Sequence, residues 1–306
     1  MQSSELHEHR ARRARLSLDG LSLGDAFGER FFVADSAIEL SLESRSLPDA
    51  PWFYTDDTVM AISIVEVLER RGFIDQDLLS REFARKYVAD PGRGYGPGAH
   101  RVLRRISAGE PWCEVSADAF GGQGSFGNGG AMRAAPIGAY FEGDPDRAAA
   151  EARASAVVTH SHPEGQAGAM AIAAAAAVAS SASSGSELFD AALRLTPPGE
   201  TRDGIAGARD LSTGVRPEVA AGLLGNGSQV TSADTVPFTL WCASRFLGSF
   251  EDAMWHTVMG LGDRDTTCAI VGGIVVLGPG GAPIPSDWLE AREPLGRFAT
   301  SGTHVA

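Results

Sequence analysis

Tyr54-Thr55-Asp56-Asp57-Thr58 runs without a break into the apolar segment Val59 to Leu68. Threonine and aspartate are strong helix-starting residues, because their side-chain oxygens accept from free backbone N–H groups and the positive end of the helix dipole favours negative charge. Capping explains one such residue. The consecutive oxygen-bearing side chains Thr55 to Thr58 also make a compact set of hard donors, suited to Mg²⁺, Mn²⁺ or Ca²⁺ rather than to zinc or copper. Alone, the junction is open to two readings: a capped helix after a solvated turn, or a helix start that binds metal.

The same grammar recurs near the other end of the chain. Gly260-Leu261-Gly262-Asp263-Arg264-Asp265-Thr266-Thr267 leads into the small-residue apolar run Cys268 to Val276. If the two helix starts face each other, Asp56, Asp57, Asp263 and Asp265 converge. Carboxylates that close cannot all stay ionised without cations, since each raises the pKa of the others. Their charges match two divalent ions, so a binuclear site is the economical reading, with two unrelated capped helices as the alternative.

At 306 residues the chain is ample for a sizeable core. A net charge of −13 argues against a nucleic-acid-binding surface, because phosphate contacts need clustered Arg and Lys, and no sequence-specific nucleic-acid binding is expected. Cys113, Cys242 and Cys268 are far apart and odd in number, which predicts reduced thiols and a cytoplasmic protein. The basic stretch His7 to Arg15 has no apolar signal core behind it. The Ala-rich run Ala167 to Ala182 is barely apolar enough for a membrane, and predicts a tightly packed buried helix instead.

Arg10 to Leu23 reads as a helix ending in Gly24-Asp25-Ala26-Phe27-Gly28, where glycine permits a turn or a close backbone approach. Glu29 to Pro51 has little periodicity and predicts a loop or lid. Helical patterns recur at Thr58 to Arg70, Leu78 to Val88, His100 to Ala108, Pro237 to Leu247 and Phe250 to Met259. Strict strand alternation is almost absent, so the expected class is all-α, with residues 1–306 as a single domain. Between Thr196 and Val236 periodicity fades, predicting long loops and a short helix.

Gly121 to Gly130, GGQGSFGNGG, is the most glycine-dense window and leads into Ala131-Met132-Arg133. Such a loop can offer several N–H groups to a phosphate or carboxylate, with Ser125 and Asn128 as added partners. It lacks the Walker lysine and follows no strand, so neither a P-loop nor a dinucleotide fingerprint is supported. In Thr159-His160-Ser161-His162, a histidine that contacts a ligand or caps a helix is favoured over a zinc site, because no third nitrogen or sulfur ligand lies nearby.

Taken together, GDAFG at Gly24–Gly28, TDDT at Thr55–Thr58, GNGGAMR at Gly127–Arg133, Thr159-His160 and GDRDTT at Gly262–Thr267 resemble the ADP-ribosylglycohydrolase family, the group that contains dinitrogenase-reductase-activating glycohydrolase. The resemblance spans nearly the whole chain, in the family's order. It implies an all-α domain with a two-metal site, Mg²⁺ or Mn²⁺, that cleaves the N- or O-glycosidic bond joining ADP-ribose to a protein side chain or small acceptor. By that resemblance Thr55, Asp56, Asp57, Asp263, Asp265 and Thr266 are metal ligands. Ser125, Phe126, Gly127, Asn128, Gly129 and Gly130 fall where the family's substrate loop holds diphosphate and ribose. His160 lies beside that ribose, and Met132 and Arg133 shape the pocket. Tyr95 is a candidate to stack on the adenine.

Two positions depart from the family. Many members carry a glutamate four residues after the second glycine of the first motif, where this chain has Phe32. Glu29, Glu39 and Glu43 are the candidates to replace it. Arg264 stands between the two aspartates, where a small residue is common. The expected chemistry is hydrolysis through an oxocarbenium-like state, with Asp56 taking a proton and Asp57 and Glu29 completing the catalytic set. The alternatives are a catalytically weak or inactive module that binds ADP-ribose or a related nucleotide, and a structural protein on the same scaffold. The expected partner is an ADP-ribosylated protein or small molecule, without a membrane.

Overall fold

The computed structural model describes residues 2–32, 42, 44–212 and 214–296. Among them lie the helices α1 (Gln2–Glu29), α2 (Asp56–Arg71), α3 (Gln76–Ala89), α4 (Pro97–Ser107), α5 (Trp112–Gly122), α6 (Ala135–Tyr140), α7 (Pro145–Val157), α8 (Pro163–Val178), α9 (Ser186–Leu195), α10 (Glu200–Asp210), α11 (Pro217–Leu224), α12 (Ser232–Arg245), α13 (Phe250–Val258), α14 (Arg264–Val275) and α15 (Ser286–Ala291). Extended pairing among the described residues is limited to the isolated bridges Trp52–Arg292 and Gly127–Thr231, so the class is all-α as expected.

The most intimate packing is between α1 and α14, and it decides between the two readings of the GDAFG glycines in favour of a close backbone approach. The GDAFG segment is not a turn, because α1 continues through it to Glu29. Gly20, Gly24 and Gly28 lie four residues apart on one helix face. A Cβ there would stand 2.4, 2.1 and 2.2 Å from the carbonyl oxygens of Gly272, Cys268 and Arg264, which are also spaced by four along α14. Glycine inside a helix costs roughly 1 kcal/mol against alanine. Here the missing side chains let two backbones touch, and that contact carries the start of α14 up to the end of α1.

The Ala-rich run forms α8. Ala167, Ala169 and Ala171 to Ala177 are buried, and Gly138 of α6 presses against the Ala173 carbonyl. Small side chains on every face let α6, α7, α9 and α12 all pack around it. No helix among the described residues is long and apolar enough to cross a membrane. A second cluster, of aromatic rings, closes the end of α1: Phe27 stacks on Trp288 at 4.8 Å and meets Trp52 and Trp255 edge-on. The Trp52 backbone pairs with Ala291 and Glu293, at 2.7 and 2.9 Å, so the strand-like approach to Tyr54 is anchored before α2 begins.

Between Thr196 and Val236 the structure differs again from the expectation of one short helix. It holds both α10 and α11, and α12 already starts at Ser232, ahead of Pro237. The cap that starts α10 comes from far away in sequence. Glu164, at the beginning of α8, accepts from the N–H groups of Glu200 and Thr201 at 3.0 and 2.9 Å and from the Thr201 hydroxyl at 2.6 Å. A local pattern search has no view of such a partner.

Candidate active site

The start of α2 is not capped by its own residues. Thr55 occupies the N-cap position with no side-chain cap bond. The free N–H groups are met by Asp25 of α1, whose carboxylate accepts from Thr55 N at 2.9 Å, Thr58 N at 3.1 Å, Thr55 Oγ1 at 2.9 Å and Thr58 Oγ1 at 2.5 Å. With the cap supplied from α1, Asp56 and Asp57 line a cavity at the start of α2. The Thr55 hydroxyl also stands 3.2 Å from Asp57 Oδ2, while Asp57 Oδ1 is buried with no hydrogen-bond partner.

The start of α14 meets this cluster. Asp265 Oδ1 accepts from Thr266 N at 2.8 Å, and Asp263 Oδ2 accepts from Asn128 Nδ2 at 2.7 Å. Asp25 is fully buried, Asp57 nearly so, and the acids feel each other's charge. Burial, opposed by its hydrogen bonds to Thr55 and Thr58, pushes the Asp25 carboxyl up to about 6. Burial and then the charge of Asp25 push Asp56 up to about 7. Asp57 and Asp265 are also held well above the usual carboxylate range, chiefly by burial and then by the neighbouring aspartates. Among the described residues no three His, Cys, Asp or Glu side chains close into a ligand cage.

A buried cation, Arg133, feels the charge of Asp56 and Asp57. Its guanidinium is fully buried, lies 4.6 Å over the Phe83 ring, and donates to Ser155 O at 3.2 Å and Thr159 Oγ1 at 2.9 Å. Burial pulls its pKa down to about 9, against the pull of Asp56 and Asp57. Thr159 Oγ1 in turn lies 2.7 Å from His160 Nδ1.

The glycine window forms a loop and a 3-10 turn, Asn128–Gly130, pinned to the segment before α12 by Asn128 N to Val230 O at 3.2 Å and Ser232 N to Phe126 O at 3.1 Å. The His160 ring packs beneath it. A Cβ on Gly129 would stand 2.9 Å from His160 Cε1, so only glycine allows that approach.

These parts enclose a cavity of about 580 Å³. Its lining includes the acidic helix starts, with Asp56, Asp57, Asp263, Asp265 and Thr266, and the glycine loop and its surroundings, with Ser125, Phe126, Gly127, Asn128, Gly129, Met132, Arg133 and His160. Thr55 and Gly130 lie behind the surface, Thr55 against Asp25 and Gly130 against the Gly165 carbonyl. Glu29 is exposed at the end of α1 and outside the lining, yet close enough to Asp263 that the charge there adds to the upward pressure of burial on its pKa. Glu39 and Glu43 lie outside the described residues. Arg264 donates to the Phe31 carbonyl and stands over the face of Phe32, 5.0 Å from its guanidinium. Tyr95 does not line the cavity, since its ring is buried edge-on against Tyr87 at 5.1 Å. His162 caps α8 by accepting from Glu164 N at 3.1 Å.

Two residues escape sequence reasoning. Asp25 sits inside a motif read for its glycines. Phe120, in left-handed backbone at φ 53°, projects a half-exposed ring into the cavity 5.8 Å from that of Phe126. Its only sequence trace is that it adjoins the glycine window.

A profile of the ADP-ribosylglycohydrolase family matches residues 6–302. The chain is similar to the ADP-ribosylhydrolase ARH3 of Homo sapiens, 36% identical over 142 residues that cover 41% of this chain and 38% of the human protein. The Danio rerio protein of the same name is 35% identical over 146 residues, covering 44% and 39%. The matched stretch thus spans about two fifths of these relatives. An uncharacterized protein of Archaeoglobus fulgidus is 29% identical over 297 residues, covering 92% of each chain. A solved structure described as an ADP-ribosylglycohydrolase-related protein complex shares the fold at a TM-score of 0.62, with 25% identity and 94% of each chain covered.

Proposed function

We propose, since the chain belongs to the ADP-ribosylglycohydrolase family, that it hydrolyses the glycosidic bond between the ribose C1 of ADP-ribose and a protein side chain or other acceptor. One observation carries this reading: two acidic helix starts, far apart in sequence, open onto the same cavity as the glycine loop.

The donor set fits hard divalent cations. A buried carboxylate oxygen without a partner, Asp57 Oδ1, and aspartates raised by burial and then by one another's charge are what a cation would relieve. Thr55, Asp56, Asp57, Asp263, Asp265 and Thr266 would hold two such ions, Mg²⁺ or Mn²⁺. When bound, these supply Lewis acidity toward water and the sugar hydroxyls.

Asp56 lines the cavity among the residues that would hold the ions, placed to take a proton from attacking water. Asp57, beside it, favours the positive charge that grows on the ribose as the C1 bond breaks. Glu29, near Asp263 at the rim, is a second acid–base group. Asn128 and His160 hold the ribose, while Ser125 to Gly130 present backbone to the diphosphate. Met132 and Arg133 fix the floor. The paired rings of Phe120 and Phe126 offer the adenine a stacking platform. The chain acts as one domain, in keeping with a core shared from Ala14 to Trp288, and the free cysteines agree with the cytoplasm.

A panel of ADP-ribosylated substrates differing only in linkage, each assayed with and without chelator, tests the reading. Metal-dependent release from at least one linkage supports it. Tight ADP-ribose binding with no release from any linkage replaces it with the binding-module reading, which the Phe32 substitution favours.

A further inference from the structure

We propose that Thr159 fixes the tautomer of His160, so that the ring presents Nε2–H into the cavity as a dedicated hydrogen-bond donor. The assignment follows from counting protons. The Arg133 guanidinium can only donate, and its Nη2 donates to Thr159 Oγ1 at 2.9 Å. Thr159 Oγ1 has one proton of its own and lies 2.7 Å from His160 Nδ1. Were Nδ1 the donor, Oγ1 would accept twice. Its own proton would then have no recorded acceptor among the described residues, in a side chain that is 5% exposed. A buried donor left unmade is the costlier arrangement. Thr159 therefore donates to Nδ1, and a neutral imidazole in that state carries its proton on Nε2.

The ring stays neutral because burial, and then the Arg133 charge, hold its pKa down to about 3. Nε2 faces the glycine loop, 3.0 Å from where a Cβ on Gly129 would stand and 3.3 Å from one on Gly127. Among the described residues no hydrogen-bond partner for Nε2 is recorded, and His160 lines the cavity. The N–H is thus kept for a ligand atom that accepts, a sugar hydroxyl or phosphate oxygen. That ligand class rests on the hydrolase reading, whereas the tautomer does not. Thr159 and Arg133 act through His160 and are positioning residues.

Long-range ¹H–¹⁵N spectra of the full chain with labelled histidine, at neutral pH, test this. The chain has seven histidines, and His160→Gln identifies the resonance. The expected result is an unprotonated Nδ1 and a protonated Nε2 in the wild type and in Thr159→Ser. Thr159→Val should lose the single-tautomer signature and about tenfold in kcat, roughly what one hydrogen bond is worth. A wild-type ring protonated on Nδ1, or Thr159→Val with an unchanged tautomer, overturns the proposal. If Thr159→Val does not fold, the wild-type spectrum decides alone. The expected tautomer in a chain that releases no ADP-ribose sinks the hydrolase reading and leaves the assignment standing.

Discussion

Asn128 Nδ2 donates to Asp263 Oδ2 at 2.7 Å and stands 3.1 Å from Thr235 Oγ1, so one carboxamide ties the glycine loop to the start of α14 and to α12. The loop and the acids are therefore a single assembly, and the bond to a carboxylate is of the stronger, charge-assisted kind.

Asn128→Ala should lower kcat/KM for ADP-ribose release by roughly tenfold to a hundredfold, the range set by one hydrogen bond to a charged group. Asn128→Asp should be worse, because it puts another carboxylate against Asp263. Steady-state kinetics of the two variants check the order, and equal rates would show that the tie is idle.

Gly28→Ala places a methyl 2.2 Å from the Arg264 carbonyl, and the helices can accept it only by separating where Asp263 and Asp265 begin. We expect a loss of roughly 1–3 kcal/mol in unfolding free energy, the usual cost of overpacking, together with loss of activity. Gly207, inside α10 with nothing near its missing Cβ, is the control. Gly207→Ala should stabilise by roughly 0.5–1 kcal/mol. Denaturant titrations read both.

Asp57 has its carboxyl pushed up by burial and by the neighbouring aspartates. Its stabilising contribution is complete below the unfolded pKa near 3.8 and is lost as pH rises toward the raised folded value. Without metal at neutral pH, Asp57→Asn should therefore melt higher than the wild type. Added Mn²⁺ should raise the wild-type Tm and leave the variant nearly unmoved. Thermal melts with and without the ion give the comparison.

His160 has the opposite sign. Its folded pKa is lowered to about 3 from 6.5, so the neutral ring stabilises the fold above pH 6.5, and that contribution falls away as the pH drops toward 3. Between pH 7 and pH 5 the wild type should lose roughly 1–2 kcal/mol relative to His160→Gln. Paired denaturation curves at the two pH values measure it.

The start of α2 was legible because its chemistry is local: oxygen-bearing residues directly precede an apolar helix. Its mate at Asp263 was legible by repetition. Asp25 was not, since its worth lies in accepting from Thr55 and Thr58 about thirty residues away, and within GDAFG only the glycines carry a local signal. Those glycines permit the close backbone approach that the sequence leaves open, but which backbone comes in, that of α14, no single-sequence pattern displays. The same limit hid α10, started by Glu164, and Phe120, aimed into the cavity by a left-handed backbone.

The most direct measurement is the rate of ADP-ribose release by the wild type, Asp56→Ala and Asp265→Ala in Mg²⁺, with folding verified by circular dichroism. Turnover by the wild type that stops with chelator, and folded variants without detectable turnover, is the predicted result. Folded variants that keep the wild-type rate, or turnover indifferent to chelator, would contradict a cation-dependent site built from the two acidic helix starts.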